Sequence, residues 1–354
     1  MTTKIACFIS PHGFGHATRA IAVLSALHEI IADLQVKLIT TVPEALFKTS
    51  SFPYTYHRIT TDVGLVQNNA LTNALQQSVD ALGRFIPLQE KVVQECAVIC
   101  RHCQLIMCDI SILGILVSRH VGVPSLLIEN FTWDWIYAHL AAEEPALIPY
   151  ADYFSECYSR VDYRIQTEPL CKPLANALTC PPIARRTIVE PEDIVKLLGR
   201  KDRTLVLITM GGIPLELPFL DLLNEYPQYL FVLAGQKDDI SWSDNIMLLS
   251  QRTSFHHPDL IHAADLLVCK SGYSTIAECA QTNTPICCVK RTDFAESTVL
   301  ESWVTDRMNG SILDPDRFIN GGWLEQLPAL IKRKRSPEPH NGASQAAAFI
   351  STLL

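Results

Sequence analysis

Two histidines, two glycines and an arginine stand close together in the amino-terminal stretch SPHGFGHATR, Ser10–Arg19. The stretch follows the apolar run Ile5–Ile9 and precedes a helical pattern, so His16 is expected at a helix start beside the carboxyl end of a buried strand. Gly13 and Gly15 permit the tight backbone that such a loop needs. Because an imidazole changes charge near neutral pH, His16 suits the role of a general base. A structural histidine that caps or fills the loop fits the same position.

Asp109 ends another strand-like run, LIMCDI. If both strands belong to one parallel sheet, their carboxyl ends lie at the same edge, and the Asp109 carboxylate can hold the second ring nitrogen of His16. Asp109 can also be the N-cap of the helix predicted in SILGILVSRH. The two roles are compatible.

Two further glycine loops follow apolar runs in the second half of the chain. The first is TMGGIP, with Gly211 and Gly212, and the second is CKSGYSTIAECAQ. The second loop puts a set of small residues at a predicted helix N-terminus, where N–H groups and the helix dipole favour anions: Ser271, Gly272, Ser274 and Thr275. Glu278 lies one turn into that helix and can accept hydrogen bonds from two ribose hydroxyls. One helix can therefore hold both parts of a nucleotide.

A dinucleotide cofactor in the amino-terminal loop is the alternative to a catalytic histidine there. The glycine pattern is G-x-G-x-x-T, and the next strand-like run, VKLITTV, ends without the acidic residue that binds an adenosine ribose in such sites. We therefore expect no nicotinamide or flavin cofactor.

The elements that must position these residues alternate between apolar strands and helices. In the first half the strands are KIACFIS, VKLIT, YTYHRI, LIMCDI and SLLIEN, and a helix is expected over about 17–32. In the second half they are TLVLITMGG, YLFVLAG, NIMLLS, DLLVCKSG and TPICCVK. Such alternation predicts an α/β protein with two doubly wound, Rossmann-like parallel sheets whose carboxyl ends face a cleft.

A proline-rich stretch near mid-chain, EPLCKPLANALTCPPIARR, is typical of a domain boundary. We expect an acceptor domain over 1–180, a donor domain over 181–335, and a carboxyl-terminal helix over 336–354 that packs back on the first domain.

Composition excludes several classes of protein. The 354 residues carry 29 basic and 37 acidic side chains, a net charge of −8, which argues against a general nucleic-acid binder. No uncharged run is long enough to cross a membrane, and the apolar run after Lys4 is too short for a secretory signal. The 12 cysteines are then expected as reduced thiols in a cytoplasmic protein.

Three of those cysteines, Cys96, Cys100 and Cys103, have the C-x3-C-x2-C spacing of an iron–sulfur site. The residues before them have helical periodicity and run directly into a strand, whereas a cluster needs its thiolates on a loop. We expect them to be core residues, and we expect no metal site.

The segment DLIHAADLLVCKSGYSTIAECAQTNTPICCVKR resembles the donor-binding segment of GT-B glycosyltransferases, including the peptidoglycan N-acetylglucosaminyltransferases. HGFGHATR is similar to the amino-terminal loop of the same enzymes. A closer resemblance, over nearly the whole chain, is to the glycosyltransferase-like amino-terminal region of plant L-arabinokinases, through HGFGHATR, ENFTWDWIYA, GYSTIAE and VKRTDFAES. The sugar-kinase part of those proteins is not matched, so kinase activity is not carried over.

The resemblance implies roles for individual residues. It makes His16 the catalytic histidine and Glu278 the ribose ligand, and it assigns the diphosphate to Ser271–Gly272 and to the loop at Gly211 and Gly212. It places Glu129 and Asn130, with Gly13, Gly15 and Arg19, on the acceptor side. It places Asp293 and Glu296 near the donor sugar, although the paired glutamines of the peptidoglycan enzymes are missing.

Lys270 is a second departure from the family pattern, since many relatives have a different residue before the Ser-Gly pair. Its side chain is expected either to add charge against the diphosphate or to pair with a nearby acid.

The function expected from all of this is inverting, metal-independent transfer of a hexosyl or pentosyl group from a nucleoside-diphosphate sugar, with UDP favoured, to an unknown hydroxyl acceptor. That acceptor is a sugar, a glycolipid or a small molecule. The aromatic NFTWDWIY segment could stack on a sugar, contact a membrane surface or simply pack in the core.

Two other functions remain open: a nucleotide-sugar epimerase on the same scaffold, and a binding module without turnover. The combination of His16 and Asp109 favours catalysis, because a sensor needs neither residue.

Overall fold

A computed structural model of the chain describes residues 2–212, 217–236, 240–333 and 340–354, with the backbone alone at 240–242. The chain divides into two compact units. Unit 1 comprises Met1–Val66, Asn73–Ala184 and Asn341–Leu354, and unit 2 comprises Gln67–Thr72 and Arg185–His340. The domain limit predicted between 335 and 336 lies outside the described residues.

Unit 1 contains a seven-stranded sheet in which every pairing is parallel, in the order β3-β2-β1-β4-β5-β6-β7. Its strands are β1 (Lys4–Ile9), β2 (Gln35–Ile39), β3 (Tyr54–His57), β4 (Leu105–Asp109), β5 (Ser125–Glu129), β6 (Tyr163–Thr167) and β7 (Leu178–Cys180). Its first six α-helices are α1 (Gly15–Ile30), α2 (Leu75–Phe85), α3 (Glu90–Ile99), α4 (Ile112–Val121), α5 (Trp133–Leu140) and α6 (Ile148–Tyr158). The strand order reverses between β1 and β4, which is where a doubly wound sheet forms its ligand site.

Unit 2 contains a second seven-stranded sheet in the order β10-β11-β9-β8-β12-β13-β14, parallel except for the β10–β11 pair. Its strands are β8 (Thr204–Thr209), β9 (Tyr229–Gln236), β10 (Ile240–Ser243), β11 (Ile246–Ser250), β12 (Leu266–Lys270), β13 (Ile286–Val289) and β14 (Ser311–Leu313). Its α-helices are α7 (Pro191–Leu197), α8 (His257–Ala263), α9 (Tyr273–Thr282), α10 (Ser297–Asp306), α11 (Pro315–Ile319) and α12 (Leu327–Ile331).

Both faces of the unit 2 sheet are buried, which follows from the continuous apolar runs of its central strands. Val206 and Ile208 of β8 belong to one hydrophobic cluster, whereas Leu205 and Leu207 belong to a second cluster on the opposite face. Short helical turns at Glu44–Phe47, Pro145–Leu147, Leu220–Glu225 and Leu324–Gln326 complete the connections.

The last helix, α13 (Gly342–Ser351), belongs to unit 1. Ala343, Ala346, Ala347 and Ile350 lie in the same core cluster as α1. Asn341 fixes the start of α13, because its Nδ2 donates to the Ala184 carbonyl over 2.7 Å and its Oδ1 caps the Ala343 N–H over 2.9 Å.

One short segment departs from the predicted domain limits. Residues 67–72 lie within the first predicted domain but belong to unit 2. Ala70 and Leu71 pack in the unit 2 core, and the Arg291 Nε donates to the Ala70 carbonyl over 3.1 Å. The burial of two apolar side chains holds this segment on unit 2.

Candidate functional site

The first cluster of candidate residues lies at the carboxyl edge of the unit 1 sheet. Ile9, the last residue of β1, pairs with Asp109, the last residue of β4, so the loops after the two strands are neighbours. Gly13 turns the first loop with a φ of +73°, a left-handed conformation that favours glycine. The helix α1 then begins at Gly15, which brings His16 back over the edge of the sheet.

His16 and Asp109 are in direct contact. The Nδ1 of His16 lies 2.7 Å from Oδ1 of Asp109, whose side chain is completely buried. The separation requires a proton between the two atoms, so Nδ1 donates to the carboxylate and the neutral ring carries its lone pair on Nε2. Asp109 does not cap α4, because the N-cap position of that helix is Ser111.

Arg19 binds the same carboxylate through two hydrogen bonds. Its Nε donates to Oδ2 of Asp109 over 2.8 Å, and its Nη2 donates to Oδ1 over 2.6 Å. Its Nη1 donates to Oδ1 of Asn130 over 2.7 Å. Burial by itself would raise the pKa of Asp109, but the Arg19 charge and the hydrogen bonds from Arg19 and His16 outweigh it, so the pKa is lowered. Asp109 is therefore ionised at neutral pH.

Of the two neighbouring acceptor-side candidates, only Asn130 joins this network. Glu129, the last residue of β5, forms an ion pair with Arg164 and accepts a 3.3 Å hydrogen bond from Gln166. Burial raises the pKa of Glu129 despite the opposing Arg164 charge.

Sequence reasoning missed a second buried carboxyl group beside the first cluster. Ser10 Oγ donates to Oδ1 of Asp62 over 2.8 Å, and the Asp62 side chain is 1% exposed. Burial raises the pKa of Asp62 to about 7, against the opposing effects of Ser10 and the Trp133 indole, and the negative charge of Asp109 adds to the rise. Asp62 lies three residues after the predicted strand YTYHRI, in a stretch without a recognisable motif, so the sequence analysis did not single it out.

The aromatic segment after β5 packs in the core. Trp133 is 1% exposed, and its ring stacks on Tyr137 with centroids 5.8 Å apart. The edges of His12 and Phe131 meet it at 5.0 Å and 5.5 Å. His16 lies against the same group, 5.8 Å from the Phe131 ring, so these aromatic side chains form one wall of the His16 environment.

The second cluster lies at the carboxyl edge of the unit 2 sheet. Cys269 of β12 pairs with Thr209 of β8, so the two glycine loops that follow these strands are neighbours. Gly211 has a φ of +69°, and a β-carbon there would lie 3.3 Å from Cε of Lys270. Glycine at this position thus provides both the left-handed turn and the room for the lysine side chain.

Lys270 lies beside both glycine loops, since its Cε is also 3.9 Å from the β-carbon position of Gly272. Among the described residues, no carboxylate oxygen lies within 4.0 Å of its Nζ. Burial and the nearby Arg291 charge together lower the pKa of Lys270 to about 7, against the opposing effect of Glu296. Within the described residues, Lys270 forms no ion pair with an acid, which was one of its two predicted roles.

Ser271 differs from expectation, because its polar groups already have partners. Its N–H donates to the Val289 carbonyl over 3.1 Å, and its hydroxyl lies 3.2 Å from that carbonyl and from Oε1 of Glu301. Ser274 and Thr275 lie in the first turn of α9, whose N-cap is Gly272. The first-turn N–H groups of a helix have no acceptor within the helix. The N–H and hydroxyl groups of Ser271 are therefore used within the protein.

Glu278 is held by two cationic or ionisable side chains that the sequence did not reveal. The Arg185 Nε donates to Oε1 over 2.8 Å, and the Nδ1 of His257 lies 2.8 Å from Oε2. Burial acts to raise the pKa of Glu278, but the Arg185 charge and the His257 hydrogen bond lower it to about 2. A carboxylate has about four lone-pair sites, so the two contacts leave capacity for two hydroxyl donors.

Arg291 stands next to the two residues predicted near the donor sugar. Its Nη1 lies 3.7 Å from Oε1 of Glu296, and its guanidinium lies 3.0 Å from the Phe294 ring centroid. Asp293 accepts a 3.0 Å hydrogen bond from Thr292. Arg291 lies in the VKRTDFAES segment that carries part of the resemblance, but the sequence analysis gave it no role; in the structure it is 5% exposed.

The described ranges contain no group of three or more histidine, cysteine, aspartate or glutamate side chains arranged to hold a metal ion. One D-x-D tripeptide, Asp314–Asp316, occurs in the sequence, but the Asp314 carboxylate caps α11 by accepting the N–H groups of Asp316 and Arg317. Burial raises the pKa of the Cys96 and Cys100 thiols to about 12.

Within the described residues, every helix falls short of the length and apolarity required to span a bilayer.

Comparison with known proteins confirms the predicted resemblance. No family model matches the chain. L-arabinokinase from Arabidopsis thaliana is 25% identical over 98% of this chain, which spans about a third (34%) of that relative's length.

Among solved structures, MurG from Acinetobacter baumannii has a TM-score of 0.57 at 14% identity and covers 99% of both chains. The calicheamicin glycosyltransferase CalG4 has a TM-score of 0.67 at 13% identity and covers 100% of this chain and 99% of its own. A UDP-glucose:anthocyanidin 3-O-glucosyltransferase in complex with UDP has a TM-score of 0.60 at 12% identity, with the same two coverages. The two Rossmann-like sheets are therefore those of the GT-B fold.

Proposed function

We propose that this GT-B chain is an inverting, metal-independent glycosyltransferase that moves a hexosyl or pentosyl group from a UDP-sugar to a hydroxyl acceptor. The observation that carries the proposal is the 2.7 Å contact between Nδ1 of His16 and the buried Asp109 carboxylate. The contact lies at the point of the unit 1 sheet where the strand order reverses. A histidine held in this way has its second nitrogen in the form that accepts a proton.

In the proposed reaction His16 acts as the general base. Its Nε2 takes the proton of the acceptor hydroxyl, and the hydroxyl oxygen forms a bond to the anomeric carbon of the donor sugar. The bond between that carbon and the diphosphate oxygen breaks, and its electron pair leaves with the nucleoside diphosphate. A single displacement of this kind inverts the anomeric configuration. Asp109 orients the His16 ring through its hydrogen bond with Nδ1 while the proton moves to Nε2.

Unit 2 supplies the proposed donor site. Glu278 would accept the ribose hydroxyls, while Lys270, the loop at Gly211 and Gly212, and the first turn of α9 with Gly272, Ser274 and Thr275 would face the diphosphate. Ser271 would act only by shaping the loop, and Asp293 and Glu296 would lie near the donor sugar. A lysine charge and a helix N-terminus can neutralise a leaving diphosphate without a bound cation, which supports metal independence.

UDP is favoured because a structural neighbour of the whole chain contains it and names UDP-glucose as its donor. The kinase activity named for the arabinokinase relative is not proposed, since the chain spans only a third of that protein.

Unit 1 is the proposed acceptor side. Within the described ranges, the buried Nδ2 of Asn130 has no hydrogen-bond partner and could donate to an acceptor oxygen. Gly13 provides the left-handed turn of the loop beside His16, with a φ of +73°, and Gly15 begins α1. The acceptor is a sugar, a glycolipid or a small molecule, and contact with a membrane surface belongs to the glycolipid case alone.

The test is turnover of UDP-sugars by the His16→Ala variant, with an extract of small molecules as the source of acceptors. We expect UDP release to fall by about a hundredfold or more, because the general base is lost, with UDP affinity within about twofold of wild type. His120→Ala is the matched control, since His120 is exposed on α4. Unchanged turnover with lost UDP affinity would contradict the role of His16.

A binding module is the second candidate. The supporting observation is that almost the whole chain aligns with one third of a protein named as a sugar kinase, so a region of this kind can accompany a separate activity. Tight UDP-sugar binding without chemical change in the donor would favour this function.

A further inference from the structure

Arg19 makes contacts that a residue of the acceptor surface would not make. Its side chain is 1% exposed, and its Nε, Nη1 and Nη2 donate to Asp109 and Asn130 over 2.6 to 2.8 Å. Its Nη2 also lies 3.3 Å from Nδ1 of His16. The guanidinium therefore faces the buried side of the His16–Asp109 pair.

The guanidinium changes the electrostatics of the pair. A buried carboxylate that contacts only a histidine stabilises the imidazolium and raises the basicity of the ring. Here Oδ1 of Asp109 is shared between His16 and Arg19, and Oδ2 is bound by Arg19. The ion pair between Arg19 and Asp109 is neutral as a whole, so protonation of His16 would create a net positive charge in a buried site.

Among the described residues, the other titratable groups near His16 do not offset this effect. The pKa of Asp62 is raised by burial and by the Asp109 charge to about 7. Glu129 is paired with Arg164. His12 lies across the Trp133 ring and accepts the Leu65 N–H at Nδ1 over 3.3 Å, as a neutral imidazole does.

We propose that Arg19 is a positioning residue that neutralises Asp109 and thereby keeps His16 uncharged at neutral pH. Asp109 still orients the ring, because the hydrogen bond from Nδ1 remains. The Oδ1 of Asn130 accepts a hydrogen bond from Nη1, the third nitrogen of the guanidinium, and this contact fixes the plane of the guanidinium. The catalytic meaning of the uncharged ring rests on the proposed function, whereas the charge balance can be tested without any substrate.

The test is an NMR titration of the His16 ring in the 354-residue chain, with the His16 signal assigned by its loss in His16→Asn. In wild type the His16 pKa should lie at or below the ordinary 6.5. In Arg19→Met it should rise by about one unit or more, because Asp109 is no longer neutralised. In Arg19→Lys, which keeps the charge, it should stay near the wild-type value.

Several results would overturn the proposal. These are a wild-type His16 that titrates above 6.5, an Arg19→Met variant that titrates like wild type, or an Arg19→Lys variant that shifts as far as Arg19→Met. If Arg19→Met does not fold, the wild-type and Arg19→Lys titrations decide the question. A merely structural role for Arg19 would lower the melting temperature of the variants without moving the His16 titration.

The outcome is separable from that of the proposed function. A His16 titration that follows the expected pattern in a protein without transferase activity would support the role of Arg19 and contradict the proposed reaction. Activity with a His16 that titrates above 6.5 would do the reverse. If both hold, the pH profile of kcat in Arg19→Met should shift upward together with the His16 titration.

Discussion

Replacing Lys270 with methionine should make the protein more stable and weaken its binding of UDP. The ammonium of Lys270 is largely buried, feels the Arg291 charge, and has no carboxylate within 4.0 Å among the described residues. Methionine keeps much of the length and apolar volume of the side chain but removes the charge. A lysine that destabilises the fold in this way has a reason to be present only if it binds an anion.

The magnitude follows from the pKa of Lys270, which falls from 10.5 in its ordinary state to about 7. At about 1.4 kcal/mol for each pKa unit, the upper limit of the destabilisation is about 5 kcal/mol. Since side chain and backbone relax around a buried charge, we expect Lys270→Met to raise the free energy of unfolding by about 1 to 3 kcal/mol at pH 7.

The sign of the pH dependence is also determined. Between pH 7 and 10.5 the unfolded chain binds more protons at this lysine than the folded one. The destabilisation by Lys270 should therefore decrease, and the free energy of unfolding of the wild type should increase, as the pH rises through that window. The advantage of Lys270→Met should be largest at or below pH 7 and should vanish near pH 10.5.

The assay is urea unfolding followed by circular dichroism at pH 6.5, 8 and 9.5. Lys196→Met is the matched control, because the Lys196 side chain is 76% exposed and its replacement should change stability by less than about 0.5 kcal/mol. Calorimetric titration with UDP should show affinity at least tenfold weaker in Lys270→Met, consistent with the loss of a charge-assisted contact. A Lys270→Met variant less stable than wild type, or a stability gap independent of pH, would refute the reasoning.

Three further predictions concern stability. Glu278→Gln should lower the free energy of unfolding by about 3 kcal/mol at pH 7, because Arg185 and His257 are left without their anion. Since the pKa of Glu278 is about 2, the wild-type advantage should be lost only as the pH falls from 4.5 toward 2. Urea unfolding that shows no difference at pH 7 would contradict this. Asp62→Asn should be more stable than wild type by about 1 to 2 kcal/mol at pH 8, because the folded-state pKa of Asp62 is about 7 and its ionised form destabilises the fold. The difference in the free energy of unfolding should disappear toward pH 4. A difference that grows in acid would contradict this. Gly211→Ala should lower the free energy of unfolding by about 1 to 2 kcal/mol, because a φ of +69° is strained for alanine and its β-carbon would lie 3.3 Å from Cε of Lys270. A variant that unfolds at the same temperature as wild type would contradict this.

The sequence was sufficient to predict the central strands of both sheets, because buried parallel strands appear as continuous apolar runs. It did not predict β6, whose sequence YRIQT contains few apolar residues, or β7 and β14, which are three residues long. The start of α1 was placed two residues late, at about 17, because a glycine such as Gly15 is not normally read as helical.

The location of His16 and Asp109, and their contact, could be predicted because Asp109 ends β4 and His16 lies in the first turn of the helix after β1, at the same edge of the sheet. The contact of Arg19 with Asp109 could not be predicted. Arg19 is one helical turn after His16, but only the folded structure brings its guanidinium within 2.8 Å of Asp109, which is 90 residues away in sequence.

The same limit applies in unit 2. Arg185, on the proline-rich stretch, meets Glu278 across 93 residues, and sequence patterns carry no signal for such contacts. The helix position of Glu278 suggested a free carboxylate, whereas in the structure both of its oxygens are already hydrogen-bonded.

The most direct test of the central claim is ³¹P NMR of a panel of nucleoside-diphosphate sugars incubated with the protein and an extract of small-molecule acceptors. A glycosyltransferase predicts that the two diphosphate signals of one donor, expected to be a UDP-sugar, are replaced by those of free UDP in wild type and not in His16→Ala. An epimerase would convert the donor into another nucleotide sugar with its diphosphate intact. Donor signals that persist for every nucleotide sugar, with line broadening as the only effect, would contradict the transferase and leave a binding module.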